Sequence, residues 1–163
     1  MKKRVLTLLT MILILSTLSA PALAGPPTEV GGLWQYTPYI VGVRIADGNT
    51  FLETFEVAIW TGDFEGDSTE DGLVVIHHSG SWSYNGIVSF EGTVDGRSGT
   101  MEMSVAGRRP DGFSDWQGRF VILSGTGELA NLRGQGTWWG PGAPDVGQQG
   151  DIYYSGTIHF EPE

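Results

Sequence analysis

An all-β fold, a single antiparallel eight-stranded β-barrel, is what the sequence predicts, on three observations. Runs rich in Val, Ile, Phe, Tyr, Trp and Thr are separated by Asp-Gly, Asn-Gly and Pro-Asp-Gly turns at short, fairly regular spacing. No stretch shows the 3.6-residue apolar period of an amphipathic helix. All 25 glycines lie beyond residue 24, and many fall inside strand-like runs, where tight curvature needs them. A sandwich is the other architecture open to such strands, but the absence of cysteine removes the Cys-Trp-Cys pattern of an immunoglobulin-like one.

The chain opens with Met1-Lys2-Lys3-Arg4, an apolar run Val5–Leu18, and Pro21-Ala22-Leu23-Ala24. A basic start, a short apolar segment and a small-x-small end make a cleaved secretory signal peptide over residues 1–24, leaving a β-barrel domain over 25–163. Export to a secreted or periplasmic location follows. The domain's 139 residues suffice for one core. The leader takes Lys2, Lys3 and Arg4 with it, so the domain carries six Arg against 19 acidic residues, a formal charge of −13. A field of that sign makes nucleic acid and membrane surfaces poor partners once the leader is removed. Without cysteine, disulfides, thiol catalysis and Cys-based zinc sites are excluded.

In chain order, Leu33–Ala46 reads as a broken first strand in which Pro38 fits only an edge or a bulge. After the turn Asp47-Gly48-Asn49, Thr50–Phe64 reads as one long strand. Glu65–Gly72 reads as an acidic loop. Calcium is the chemistry such a loop invites, but position six from Asp63 is Ser68 and position twelve is Val74, where an EF-hand requires Gly and Glu. Leu73–His78 is a third strand, and Trp82-Ser83-Tyr84 is an aromatic rim before Asn85-Gly86. Ile87–Val94 and Thr100–Ala106 form a half-buried antiparallel pair across Asp95-Gly96. Trp116, Phe120 and Ile122 share the next strand's apolar face. Thr137-Trp138-Trp139 starts another strand, Gly140–Gly150 is a loop suited to covering a barrel mouth, and Ile152–Phe160 closes the chain.

Between Arg119 and Thr137 an apolar strand meets the double glycine Gly125-Thr126-Gly127, a short helical-looking link, and the releasing glycines Gly134 and Gly136. Gly125-Thr126-Gly127-Glu128-Leu129-Ala130 has the form of a dinucleotide fingerprint. The sustained helix which that site requires is cut off by Gly134 and Gly136, so the motif reads as a structural corner. Gly125 or Gly127 is expected to take positive φ there.

Gly92-Thr93-Val94-Asp95-Gly96-Arg97-Ser98-Gly99-Thr100 and Ser124-Gly125-Thr126-Gly127-Glu128-Leu129-Ala130-Asn131-Leu132-Arg133-Gly134-Gln135-Gly136 together resemble domain-of-unknown-function family 3224, over roughly Gly62–Phe160. The Gly-Thr-Gly corner and later glycine are more distantly similar to the allene oxide cyclase and dirigent barrels. That resemblance implies an eight-stranded antiparallel barrel of allene oxide cyclase type, with a lumen for an apolar molecule. It carries over no catalytic residue.

Phe90, Met101, Met103, Trp116 and Phe120 alternate with polar neighbours, so they face the interior and are the candidate ligand-binding set, with Trp82 beside them. The catalytic candidates are Glu91, Glu102 and Arg119. A four-residue loop at Asp95-Gly96 would set Glu102 opposite Glu91, whereas the commoner two-residue loop sets Thr100 there. Like charges sharing a shielded site would leave one carboxyl protonated, with Arg119 as the moderating cation; the plainer reading puts all three on the outer wall. His77 and His78 point to opposite faces and cannot share a metal. No G-x-S-x-G elbow occurs, and no metal or cofactor is assigned.

Three functions compete: a secreted module binding a small apolar molecule, a cyclase or isomerase of allene oxide cyclase or dirigent type, and a structural protein with a filled barrel. A lumen without charge favours the first, a buried carboxylate the second, and the absence of a void the third. Oligomeric state is left open.

Overall fold

The computed structural model describes residues 25–162; the expected signal peptide, residues 1–24, lies outside them. Eight strands follow one another, each antiparallel to the next: β1 (Thr28–Ala46), β2 (Asn49–Gly62), β3 (Phe64–Ile76), β4 (Trp82–Val94), β5 (Arg97–Arg109), β6 (Trp116–Gly125), β7 (Leu132–Gly142) and β8 (Gly150–Phe160). Pairing of β1 with β8 closes the ring, so the sheet is a barrel.

Both two-residue Asp-Gly turns have the chemistry a tight hairpin requires. Asp47 and Gly48 have φ of 50° and 76°, and Asp95 and Gly96 have 52° and 73°. Positive φ at both central positions is the type I′ pattern that matches strand twist.

Several boundaries differ from the sequence reading, β1 starting at Thr28 and β7 running on to Gly142 among them, and three differences bear on the site. The run Thr50–Phe64 is broken at Gly62, whose φ of 109° turns the chain so that Phe64 begins β3. The segment Glu65–Gly72 is strand, not loop, because its acidic density alternates: Glu65, Asp67 and Asp71 are exposed while Ser68 and Glu70 point inward. Asn85-Gly86 lies mid-strand in β4, with Gly86 paired to Gly72. The expected edge or bulge at Pro38 is explained by β1's length. Its pairing with β8 stops at Tyr36, so Pro38 lies where one side of the strand is free, and a bulge follows between Ile40 and Gly42.

Inward-facing glycine makes room for inward-facing aromatics. Gly107 and Gly118 both lie against the Trp138 ring, Gly136 and Gly156 against Phe120, and Gly32 against Tyr154. The Tyr154 ring stacks on Phe64 at 5.0 Å, and its hydroxyl accepts the Phe64 amide at 2.9 Å. This cluster closes the end of the barrel that carries the termini, with Leu129 and Leu132 sealing it.

The helical-looking link is one 3₁₀ turn, Gly127–Leu129. At the corner Gly127 takes φ of +61°, whereas Gly125 is needed for space: a Cβ there would collide with the Leu129 carbonyl. Gly134 is held likewise, its missing Cβ falling 2.8 Å from the Thr157 carbonyl. Gly125→Ala is therefore expected to lose about 2–3 kcal/mol, an overpacking effect, and Gly127→Ala about 1 kcal/mol, a backbone effect. Urea unfolding of both checks this order; equal stability to wild type at either position contradicts it.

Candidate functional site

All five apolar candidates face the interior, but they separate into two groups. Phe90, Met101, Met103 and Phe120 are buried in the hydrophobic cluster of the closed half and do not border the mouth cavity. Trp116 alone of the five borders the cavity at the opposite end. The three catalytic candidates fall where the plainer reading puts them. The type I′ turn sets Glu91 opposite Thr100 and Glu102 opposite Ser89, and strand alternation leaves Glu91, Glu102 and Arg119 exposed on the outer wall. Glu102 meets only Ser124, whose hydroxyl donates to it at 3.2 Å.

The cavity occupies the mouth, with a volume of about 330 Å³. Its aromatic wall is Trp34, Trp82, Trp116 and Trp138 with Tyr36 and Tyr84; Leu52, Val74, Val105 and Ile152 fill between them. Trp116 is the hub of this wall, edge-on to Trp82 and Tyr84 and 6.4 Å from Trp138. The loop after β7 covers one side through Ala143–Val146, as expected of a mouth cover. Two bonds to β1 hold it: the Ala143 amide donates to the Tyr36 hydroxyl at 3.0 Å, and the Gly147 amide to the Pro38 carbonyl at 2.8 Å.

Two buried glutamates line this largely apolar space, and Asp145 lies in its covering loop. Glu56 on β2 and Glu70 on β3 are direct cross-strand partners, each only 7% exposed. The Tyr84 hydroxyl donates to Glu70 Oε1 at 2.6 Å. Glycine creates the room for this contact, since a Cβ at Gly86 would strike both the Glu70 carboxylate and the Tyr84 hydroxyl, and one at Gly72 would strike Tyr84 and lie 2.7 Å from Thr54 Oγ1. Thr54 is 5% exposed and lines the cavity beside Glu56 and Tyr84, its hydroxyl close to both but outside good hydrogen-bond geometry with either.

Burial raises both acids far above the ordinary carboxylate range, Glu56 to about 7 and Glu70 to about 8. For Glu70 the Glu56 charge raises it further, against the Tyr84 hydrogen bond. Burial, then Glu70 and Glu56, likewise push the Tyr84 hydroxyl far up, so it remains a donor. The physical content is that two like charges in contact cannot both ionise cheaply in a dry site, so near neutrality the pair holds a proton.

Arg109 is the one cation lining the cavity among the described residues. Its guanidinium carbon sits 4.1 Å from the Trp82 centroid and 4.8 Å from that of Trp116, and it forms no ion pair with either carboxyl. Burial lowers its pKa, and its Nε is buried without a partner. Elsewhere, His77 Nε2 meets the Ser83 hydroxyl at 2.9 Å and His78 is exposed.

Glu56 and Glu70 were missed because their segments read as an apolar run and an acidic loop. The signal was parity: Thr54, Glu56 and Ala58 share a face with Trp60, and Ser68 and Glu70 share one with Phe64 and Val74.

A solved structure of a protein of unknown function from the DUF3224 family, from Shewanella oneidensis MR-1, superimposes with a TM-score of 0.67 at 22% identity, covering 85% of this chain and all of that one. No curated protein matches. The family model described as "Protein of unknown function (DUF3224)" matches residues 44–139, which include Glu56, Glu70, Tyr84, Arg109, Trp116 and Trp138. More than half of the sequence falls within that match, and the chain belongs to the DUF3224 family.

Proposed function

We propose that the protein is an exported binding module that holds one small, largely apolar molecule in the barrel mouth, its polar group set against Glu56, Glu70 and Tyr84. The supporting observation is the cavity itself: an aromatic-walled space of about 330 Å³ with a few convergent polar groups at one place. A barrel that only fills itself has no use for two carboxyls and a Thr54 hydroxyl without a well-formed hydrogen bond in its interior, since each is expensive to bury. The neutral dye N-phenyl-1-naphthylamine is expected to bind saturably with a blue-shifted emission. Trp116→Ala, which removes the hub of the wall, and Ala143→Phe, which obstructs the mouth from the loop, are each expected to weaken it at least tenfold. Near-UV circular dichroism checks that both variants fold. No saturable binding to wild type, or binding indifferent to both variants, contradicts the reading.

The buried carboxyl pair is the observation expected of the second reading, a cyclase or isomerase of the allene oxide cyclase or dirigent type; binding is placed first because an enzyme of that type must also hold its substrate in this cavity. One ionised and one protonated carboxyl in a dry site are a base and an acid side by side. Conversion of 3-cyclohexen-1-one to its conjugated isomer, lost in Glu56→Gln and Glu70→Gln, would support it; wild-type rates equal to buffer would remove it.

A further inference from the structure

We infer that the base of the mouth cavity is a receptor site for an organic cation, an ammonium group with an apolar body, seated between the Glu56–Glu70 pair and the surrounding Trp and Tyr faces. This rests on the binding reading and names the ligand class.

Four features converge on it. The two carboxyls are cross-strand neighbours with no cation paired to them among the described residues; the nearest candidate, Arg109, is stacked on the rim rings and pairs with neither. The walls are indole and phenol rings, whose faces attract cations most strongly when water is excluded. Arg109 over Trp82 and Trp116 already shows that these rings hold a positive group. Finally, the deeply buried Thr54 hydroxyl lines the same space without a well-formed hydrogen bond. The sequence's formal charge of −10 draws cations toward the molecule as a whole.

The charge balance is simple. A singly charged ammonium needs one carboxylate, so the pair retains one proton, shared with the Tyr84–Glu70 hydrogen bond, and releases any second one when the ligand enters. Binding therefore strengthens with pH. The titratable and charged groups around the pair are Tyr36 from β1, Tyr84 from β4, Arg109 from β5, Asp145 from the covering loop and, next to Glu70 on β3, Asp71; β6, β7 and β8 present Trp116, Trp138 and Ile152, which do not titrate.

The test is an isosteric pair of probes, phenyltrimethylammonium and tert-butylbenzene, alike in shape and differing in charge. Calorimetry is expected to show the cation binding at least tenfold tighter at pH 8, with net proton release and about a tenfold gain in affinity from pH 6 to pH 8. In Glu56→Gln/Glu70→Gln that preference is expected to vanish, with near-UV circular dichroism checking that the variant keeps its fold. Equal or tighter binding of tert-butylbenzene, or affinity for the cation that falls as pH rises, overturns the inference and leaves the binding reading standing. If neither probe nor the dye enters, both fall.

Discussion

Thermal stability is expected to fall as pH rises from 5 to 9, by at least about 3 kcal/mol, or a melting temperature lower by on the order of 10 °C. Glu56 and Glu70 titrate near 4.5 when unfolded and at about 7 and about 8 when folded, so the native state binds more protons across that window. Stability is then fully present below the unfolded value and is lost as pH climbs through the folded ones. Because the two carboxyls share one site, the loss is counted for one of them. General repulsion among 19 acidic residues would also grow with pH. Glu56→Gln/Glu70→Gln separates the two effects, since the amides keep the shape and remove the titration. Melts of the double variant should keep only the repulsion part, losing clearly less stability than wild type between pH 6 and 9, and lie above wild type at pH 9. Parallel curves for the two proteins would show that the pair contributes nothing.

Substitution of Gly118 by Ala is expected to destabilise by about 3 kcal/mol, at the upper end for a single added methyl. Its Cβ would enter the Trp138 ring, and the Ala106 carbonyl lies 2.5 Å away, so neither side chain nor backbone has a cheap escape. Trp138 cannot withdraw without losing the hydrogen bond from its Nε1 to the Arg119 carbonyl at 3.1 Å and opening the cavity wall. The same substitution should therefore weaken dye binding as well as stability. Gly25→Ala, with nothing within 4 Å, is the control expected to change neither. Denaturant unfolding of the two variants measures the difference, and a Gly118→Ala protein as stable as wild type would show that the interior is not packed against glycine as described.

How far the sequence reveals this molecule depends on which interactions are local. Turn chemistry is local, so Asp95-Gly96 could be read as a hairpin and the strands flanking it placed in the right register. Alternation is nearly local, so Phe90, Met101, Met103, Trp116 and Phe120 could be assigned to the interior. The distinction between a filled half and an open half is not local: it depends on where glycines from different strands fall beside an aromatic ring, as Gly107 and Gly118 do beside Trp138. The candidate site followed the same division. The idea that like carboxyls facing each other across two strands would trap a proton fits the fold, but Glu91 and Glu102 are not that pair. Glu56 and Glu70 are, and finding them required the register of β2 against β3, which the misread acidic loop concealed. Gly72 and Gly86, read as loop and turn residues, instead hollow out the wall where Tyr84 reaches Glu70.

The account stands most directly on the state of those two acids. Carbon-detected NMR of the side-chain carboxyls, assigned through Glu56→Gln and Glu70→Gln, follows every glutamate across pH 3 to 10. Two resonances are expected to titrate in apparent steps above pH 6, each step changed by removal of the other carboxyl, and both are expected to shift when N-phenyl-1-naphthylamine binds. Glu56 and Glu70 titrating independently near 4.5, unmoved by the dye, would contradict a dry carboxyl pair at the base of a ligand cavity.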